Sequence, residues 1–146
     1  MAKYVTTIES PMSPDAAFAY MADLRNFEEW DPGVQRSEQV EGASIGPDAV
    51  YDVTVDAPGK GLTLRYRTVE YDAPRSVTVE AKSTLFTSLD RITVEPSGDG
   101  SLVTYDAELT LNGPLGLFDV ALKPTFRKIG GRANEGLLRV LDGTQR

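Results

Sequence analysis

The chain has 146 residues, enough for one domain with a real core and too few for two comfortable ones. Its 40% hydrophobic and 25% charged residues are those of a soluble globular protein, and a formal charge of -7 argues against nucleic acid and bare anionic membrane as partners. It contains no cysteine and no histidine, which excludes disulfides, thiolate nucleophiles and cysteine–histidine zinc sites and leaves carboxylates, tyrosines, lysines or bound water for any acid–base chemistry.

The first element is a strand, because Lys3 to Ser10 (KYVTTIES) alternates and is rich in β-branched residues. In SPDAAFAYMADL, Ser13 is a good N-cap, Pro14 suits the first helical position, and Phe18, Met21 and Ala22 fall on one helical face. NFEEWDPG is expected to form a second short helix, capped by Asp23 and stopped by Pro32 and Gly33. The hydrophobic period then changes to two. VQRSEQV is an edge strand, and VYDVTVD (Val50 to Asp56) puts Tyr51, Val53 and Val55 on one face. After the turn APGKG, LTLRYRTVEY sets Leu62, Leu64 and Tyr66 against solvent-facing Thr63, Arg65 and Arg67. DAPR turns again, and SVTVEAK shows Val77, Val79 and Ala81 on one side. TLFTSLDRITVE runs into the tight turn PSGDG. In SLVTYDAELTL, Val103, Tyr105, Ala107, Leu109 and Leu111 share a face opposite Thr104, Asp106, Glu108 and Thr110. Short turns between such strands mean antiparallel pairing, and a sheet with one apolar face must be covered on that side.

The cover is a long C-terminal helix starting near Pro114, with apolar residues at Phe118, Leu122, Phe126, Ile129, Ala133, Leu137 and Leu141, spaced by three and four. Burying six of these contributes on the order of 10 kcal/mol. The adjacent Gly130 and Gly131 cost about 2 kcal/mol and Pro124 about 3. Packing therefore wins, with a kink near Pro124 rather than a break, since Lys123 is a poor N-cap. Arg127, Lys128 and Arg132 form a solvated face of this helix. No apolar run reaches the roughly 20 residues that span a bilayer, and the first residues lack a signal-peptide core, so a cytoplasmic protein without membrane insertion is expected. There is no internal repeat, low-complexity tract or linker, which makes residues 1–146 a single domain.

The order strand, two short helices, six strands, long helix is that of the helix-grip fold, an α+β architecture. The stretch IESPMSPDAAFAYMADLRNFEEWDPGVQRSE, with Pro11, Asp23, Asn26, Phe27, Trp30 and Pro32 in sequence, resembles the opening of the polyketide cyclase/dehydrase and lipid-transport family of the START and pollen-allergen-like superfamily. TVEYDAPRSVTVEA resembles that family's fourth-to-fifth strand hairpin, and LVTYDAELTLNGPL its last strand and the turn into the long helix. The resemblance implies a strongly bent seven-stranded sheet wrapped around the C-terminal helix, with a hydrophobic cavity between them that opens near the short helices and hairpins. The family carries many functions on this scaffold.

Counting back by two from Ile92 and Val94 puts Asp90, Ser88 and Phe86 on the inward face. Asp90 then stands as a carboxylate in an apolar hollow, where desolvation raises its pKa and makes it a usable acid or base. A β-bulge near Leu89 would instead turn Asp90 to solvent. Tyr51, Tyr66 and Tyr105 face inward by parity and either orient a ligand or fill the core. Trp30, which the resemblance places near the pocket, either lines its mouth or pins the second short helix. Gly130 and Gly131 either leave room for a ligand or permit close approach of a bulky strand residue such as Tyr66 or Tyr105. The expected lining is thus Trp30, Tyr51, Tyr66, Ser88, Asp90, Tyr105, Leu109, Phe118, Leu122, Phe126 and Gly130, with Asp90 the candidate catalytic group. No nucleophile motif, phosphate loop, cofactor motif or metal motif is present. The expected partner is a small hydrophobic or polycyclic molecule, lipid or polyketide-like, bound by a monomer or homodimer. An aromatase/cyclase or dehydratase and a non-catalytic regulatory or stress-response partner protein are the alternatives.

Overall fold

A computed structural model describes residues 2–42, 45–56, 61–113 and 119–145, with backbone alone over 119–123. The chain order is β1 (Ala2–Ser10), α1 (Pro14–Ala22), a 3-10 turn (Leu24–Asn26), α2 (Phe27–Trp30), β2 (Val34–Glu41), β3 (Val50–Val55), β4 (Leu62–Asp72), β5 (Ser76–Lys82), β6 (Phe86–Ser97), β7 (Gly100–Leu111), α3 (Asp119–Val140) and β8 (Thr144–Gln145). The strands form one antiparallel sheet in the order β2-β3-β4-β5-β6-β7-β1-β8, the first strand closing against the seventh. The helix-grip architecture is therefore present with eight strands rather than seven. The added strand is two residues long and pairs Gln145 with Ile8 and Thr144 with Glu9.

Local chemistry explains most boundaries. The Ser13 side chain accepts a hydrogen bond from the Ala16 amide and Pro14 occupies the first turn of α1. Asp23 caps the 3-10 turn that leads into α2, accepting from the Arg25 amide. The apolar core joins Ile8, Phe18, Met21, Leu24, Phe27 and Trp30 to inward strand residues Val53, Val79, Ile92, Val94 and Val103, and to Ala133, Leu137 and Leu141 of α3. The parity assignments hold along β6, whose register with both neighbours runs unbroken from Thr87 to Thr93, so the bulge that would turn Asp90 outward is absent.

α3 continues through Pro124 without a break. It packs on β1, on α2 and more lightly on β7. Two of its glycines mark the closest approaches. A Cβ on Gly136 would lie 1.7 Å from the Trp30 carbonyl oxygen, and one on Gly130 would lie 2.3 Å from the Tyr4 ring. Close approach to a strand aromatic is thus realised at Gly130, and the residue is Tyr4 rather than Tyr66 or Tyr105. Gly131 faces open space. Polar ties fix the helix end: the Thr6 hydroxyl donates to Asn134 Oδ1 at 2.6 Å, the Ser10 hydroxyl to the Leu141 carbonyl at 2.6 Å, and Arg139 Nη2 to the Glu29 carbonyl at 2.8 Å. Ile129, expected inward, is 44% exposed at the helix edge, because the α3 contact face turns onto β1 through Gly130 and Asn134. Among the described residues no helix is long and apolar enough to cross a membrane.

The two glycine environments predict opposite outcomes. Gly136→Ala must push α2 away and should cost about 3 kcal/mol or more in urea unfolding. Gly131→Ala adds only helix propensity and should stabilise by about 0.5–1 kcal/mol. Equal effects of the two substitutions would contradict this packing.

Candidate functional site

A cavity of about 290 Å³ lies between α3 and the inner face of the sheet. Its apolar wall comes from Val34, Val55, Leu64, Phe86, Ala107 and Leu109 on the strands and from Phe126 and Ala133 on α3. Its polar floor is made by Tyr66 on β4, Ser88 and Asp90 on β6 and Tyr105 on β7. Exposed Asp56, Ile129 and Arg132 and buried Asp31 complete the lining, with Tyr4 beneath Gly130.

Strand register builds the floor. Tyr66 and Ser88 lie in one row with Ala81 between them. The small Ala81 side chain lets the tyrosine reach across it, and the Tyr66 and Ser88 hydroxyls meet at 2.8 Å. Asp90 pairs with Ala107, another small residue, and Tyr105 stands on the diagonal. The Tyr105 hydroxyl donates to Asp90 Oδ2 at 2.9 Å. Both strands thus bring a polar side chain over an alanine.

Asp90 is 4% exposed. Burial raises its pKa to about 7, while hydrogen bonding by Tyr105 and, more weakly, Ser88 pulls it back, and the charges of Asp31 and Asp106 add to the rise. Its proton is therefore shared between the two states near neutrality, and it can accept or donate one. Burial likewise pushes the Tyr66 and Tyr105 hydroxyls well above the usual phenol range, with the Asp90 charge adding to both, so they remain donors. Asp31 is also buried and raised by desolvation, which outweighs its hydrogen bond from the Gly33 amide. Behind the floor a second hollow of about 10 Å³, room for roughly one water, runs from Asp90 and Tyr105 past Trp30 to Asp23.

Of the expected lining, the structure brings together Tyr66, Ser88, Asp90, Tyr105, Leu109, Phe126 and Gly130. Trp30 borders only the small hollow; it stacks on Phe27 with centroids 4.6 Å apart and meets the Tyr105 ring edge-on at 5.2 Å, so it pins α2 to the floor. Tyr51 does not reach the cavity. It is fully buried under the α1–α2 region, its hydroxyl makes no hydrogen bond of ordinary geometry, and burial followed by the Asp23 charge raises its pKa to about 12. Phe118 and the Leu122 side chain lie outside the described residues. The sequence reading missed Tyr4 and Asp31. Tyr4 shares the parity of Thr6 and Ile8, so alternation alone could have found it. Asp31 directly precedes the helix-stopping Pro32 and Gly33 and has no periodicity of its own to reveal it. Among the described residues, no three acidic side chains come together as a metal site.

The family described as polyketide cyclase / dehydrase and lipid transport matches residues 1–142. A protein named "Toxin Rv0910" from Mycobacterium tuberculosis (strain ATCC 25618 / H37Rv) is 28% identical over 127 residues, covering 83% of this chain and 87% of that protein. A START superfamily protein from Mycobacterium smegmatis superposes with a TM-score of 0.72 at 15% identity, covering 97% of this chain and 95% of the other. The di-domain ARO/CYC protein StfQ from the steffimycin biosynthetic pathway superposes with a TM-score of 0.71 at 16% identity, covering 96% of this chain and 49% of that one.

The carboxyl on the floor sets a pH dependence of stability. A carboxyl whose folded pKa is raised stabilises the fold below its unfolded value near 4, and that contribution is lost as pH rises through about 7. Asp31 acts in the same direction. Asp90→Asn, which keeps an acceptor for Tyr105, should therefore be more stable than the parent above neutrality, by up to about 4 kcal/mol, and not below about pH 4. Urea midpoints across pH test this; parallel curves for the two proteins would refute a buried titrating Asp90.

Proposed function

The chain belongs to the polyketide cyclase/dehydrase and lipid-transport family, and from its own cavity we propose that it binds a compact, mostly apolar small molecule between the sheet and α3. The observation that carries this reading is the hollow itself: about 290 Å³ with a continuous aliphatic and aromatic wall and a small cluster of hydroxyls and one carboxyl on the floor. Binding sites for small molecules have this composition, many apolar contacts for affinity and few polar ones for orientation. The volume sits at the low end of the usual range of about 300–1,000 Å³, which favours a ring system over a long acyl chain. In this reading Leu64, Leu109 and Phe126 hold the ligand body, and Tyr66, Ser88, Asp90 and Tyr105 orient its polar end.

One observation favours a second, catalytic reading. Burial raises the Asp90 pKa to about 7 beside Tyr105 in a mostly apolar hollow, which suits proton transfer in an aromatase/cyclase or dehydratase reaction on a polyketide-type substrate. No feature of the cavity calls for the third reading, a regulatory partner protein.

A neutral, environment-sensitive naphthalene dye, prodan, tests the binding reading. The wild type should give a saturable fluorescence rise. Ala107→Phe, which fills the hollow opposite Asp90, should weaken binding by about tenfold or more while the protein stays folded. Asp90→Asn should leave prodan affinity within about twofold, because the dye carries no charge. No saturable binding, or binding indifferent to Ala107→Phe, would rule out this cavity as the site.

A further inference from the structure

We infer that the ligand of this cavity is an apolar amine, bound as a cation with its ammonium group directed to the Asp90 carboxylate. This inference rests on the binding reading above and adds the charge of the ligand. It comes from the uneven distribution of ionisable groups around the hollow. Three carboxylates line it, Asp90 at the floor, Asp31 close enough for its charge to act on Asp90, and Asp56 exposed. Asp90 and Asp31 are themselves buried, at 4% and 8% exposure. Against them stands one cation among the described lining residues, the exposed Arg132, and no lysine. The remaining polar groups are the neutral hydroxyls of Tyr4, Tyr66, Ser88 and Tyr105.

An anion entering this hollow gives up its hydration and meets like charge at the rim and at the floor. A fatty acid, a phospholipid headgroup or a phosphate ester is therefore disfavoured. A cation meets the opposite field at both places, and the low dielectric of the apolar wall strengthens the pairing. The net charge of the chain adds long-range attraction of the same sign. Asp90 is preorganised as the terminus: the Tyr105 hydroxyl holds Oδ2, and Tyr105 is itself held edge-on by Trp30. The groups that face Asp90 are Tyr66 from β4, Ser88 on its own strand, Tyr105 from β7, Asp31 from the α2–β2 connection and Asp23 across the small hollow, with Asp106 acting through its charge. None is basic, so among the described residues the carboxylate has no counter-ion, and an ammonium from the ligand supplies one.

The test uses three naphthalene probes that share one ring body: naphthylmethylamine, naphthylmethanol and naphthoic acid, measured by calorimetry on the full chain, with prodan as the reference for cavity binding. At about pH 8 the amine should bind at least about tenfold tighter than the alcohol, and the acid weakest. The amine's advantage should shrink as pH falls through about 7, because Asp90 must release its proton to pair. Proton release should be visible as a buffer-dependent heat. Asp90→Asn should bring the amine to the level of the alcohol, and Asp31→Asn should reduce the amine's advantage in part. Binding of the acid as tight as the amine, or an amine advantage that survives in Asp90→Asn, overturns the inference. If prodan binds and none of the three probes does, the inference fails and the cavity reading stands. If prodan fails as well, the cavity reading itself is wrong.

Discussion

A single helix has to cover the apolar face of an eight-stranded sheet. A helix is about 10 Å across with its side chains, and strands lie about 4.8 Å apart, so one helix shields about two strands of a flat sheet. α3 does rest mainly on β1, and only lightly on β7. α1 and α2 close the end near Trp30, and the hollow over β4, β6 and the far half of β7 is what remains. The cavity is therefore a consequence of unequal layers, and its position follows from where α3 is anchored. That anchoring depends on absent side chains. Gly130 lets the helix sit on the Tyr4 ring, and Gly136 lets it touch the Trp30 carbonyl, while hydrogen bonds from Thr6, Ser10 and Arg139 fix its last turns.

The polar floor works against the fold that holds it. Burying a carboxyl without a counter-ion is costly, and here the cost is reduced by partial protonation and by neighbouring hydroxyls rather than by a salt bridge. The surface pairs that do exist, such as Arg65 with Asp52 and Arg91 with Glu70, lie outside and contribute little. Electrostatic tension is thus concentrated at the cavity floor rather than spread over the surface.

Much of this was legible in the sequence because strands have a strict period. Counting back by two from Ile92 and Val94 was enough to decide the face of Asp90, and the β6 ladder carries that parity without a slip. The same rule placed Ser88, Tyr66, Tyr105 and Leu109. It failed for Tyr51, which obeys the parity but stands in the part of the inner face that α1 and α2 cover. Periodicity tells a residue's face and not what lies above it. The glycines show the same limit. The Gly130–Gly131 pair interrupts helix propensity, yet of the two only Gly130 sits at a contact, and the tightest approach in the helix falls at the isolated Gly136. Asp31 was hidden by its own neighbours, since Pro32 and Gly33 mark a helix stop while Asp31 and Gly33 also line the cavity. β8 has two residues and no period to detect.

The short β8 bears on how the protein behaves in concentrated solution. Open sheet edges are templates for other chains. At one end of this sheet, β2 carries register shifts after Val34 and Gln39 and the charged residues Arg36, Glu38 and Glu41, all of which spoil a regular hydrogen-bonding row. The other end has no such charges between Val5 and Ile8. There Thr144 and Gln145 occupy part of the row themselves, held by the hydrogen bond between Gln145 and Asn134 that ties them back to α3. Protection of that edge is thus coupled to the seating of the helix, so any change that loosens α3 over the cavity also uncovers a strand on which other molecules can polymerise.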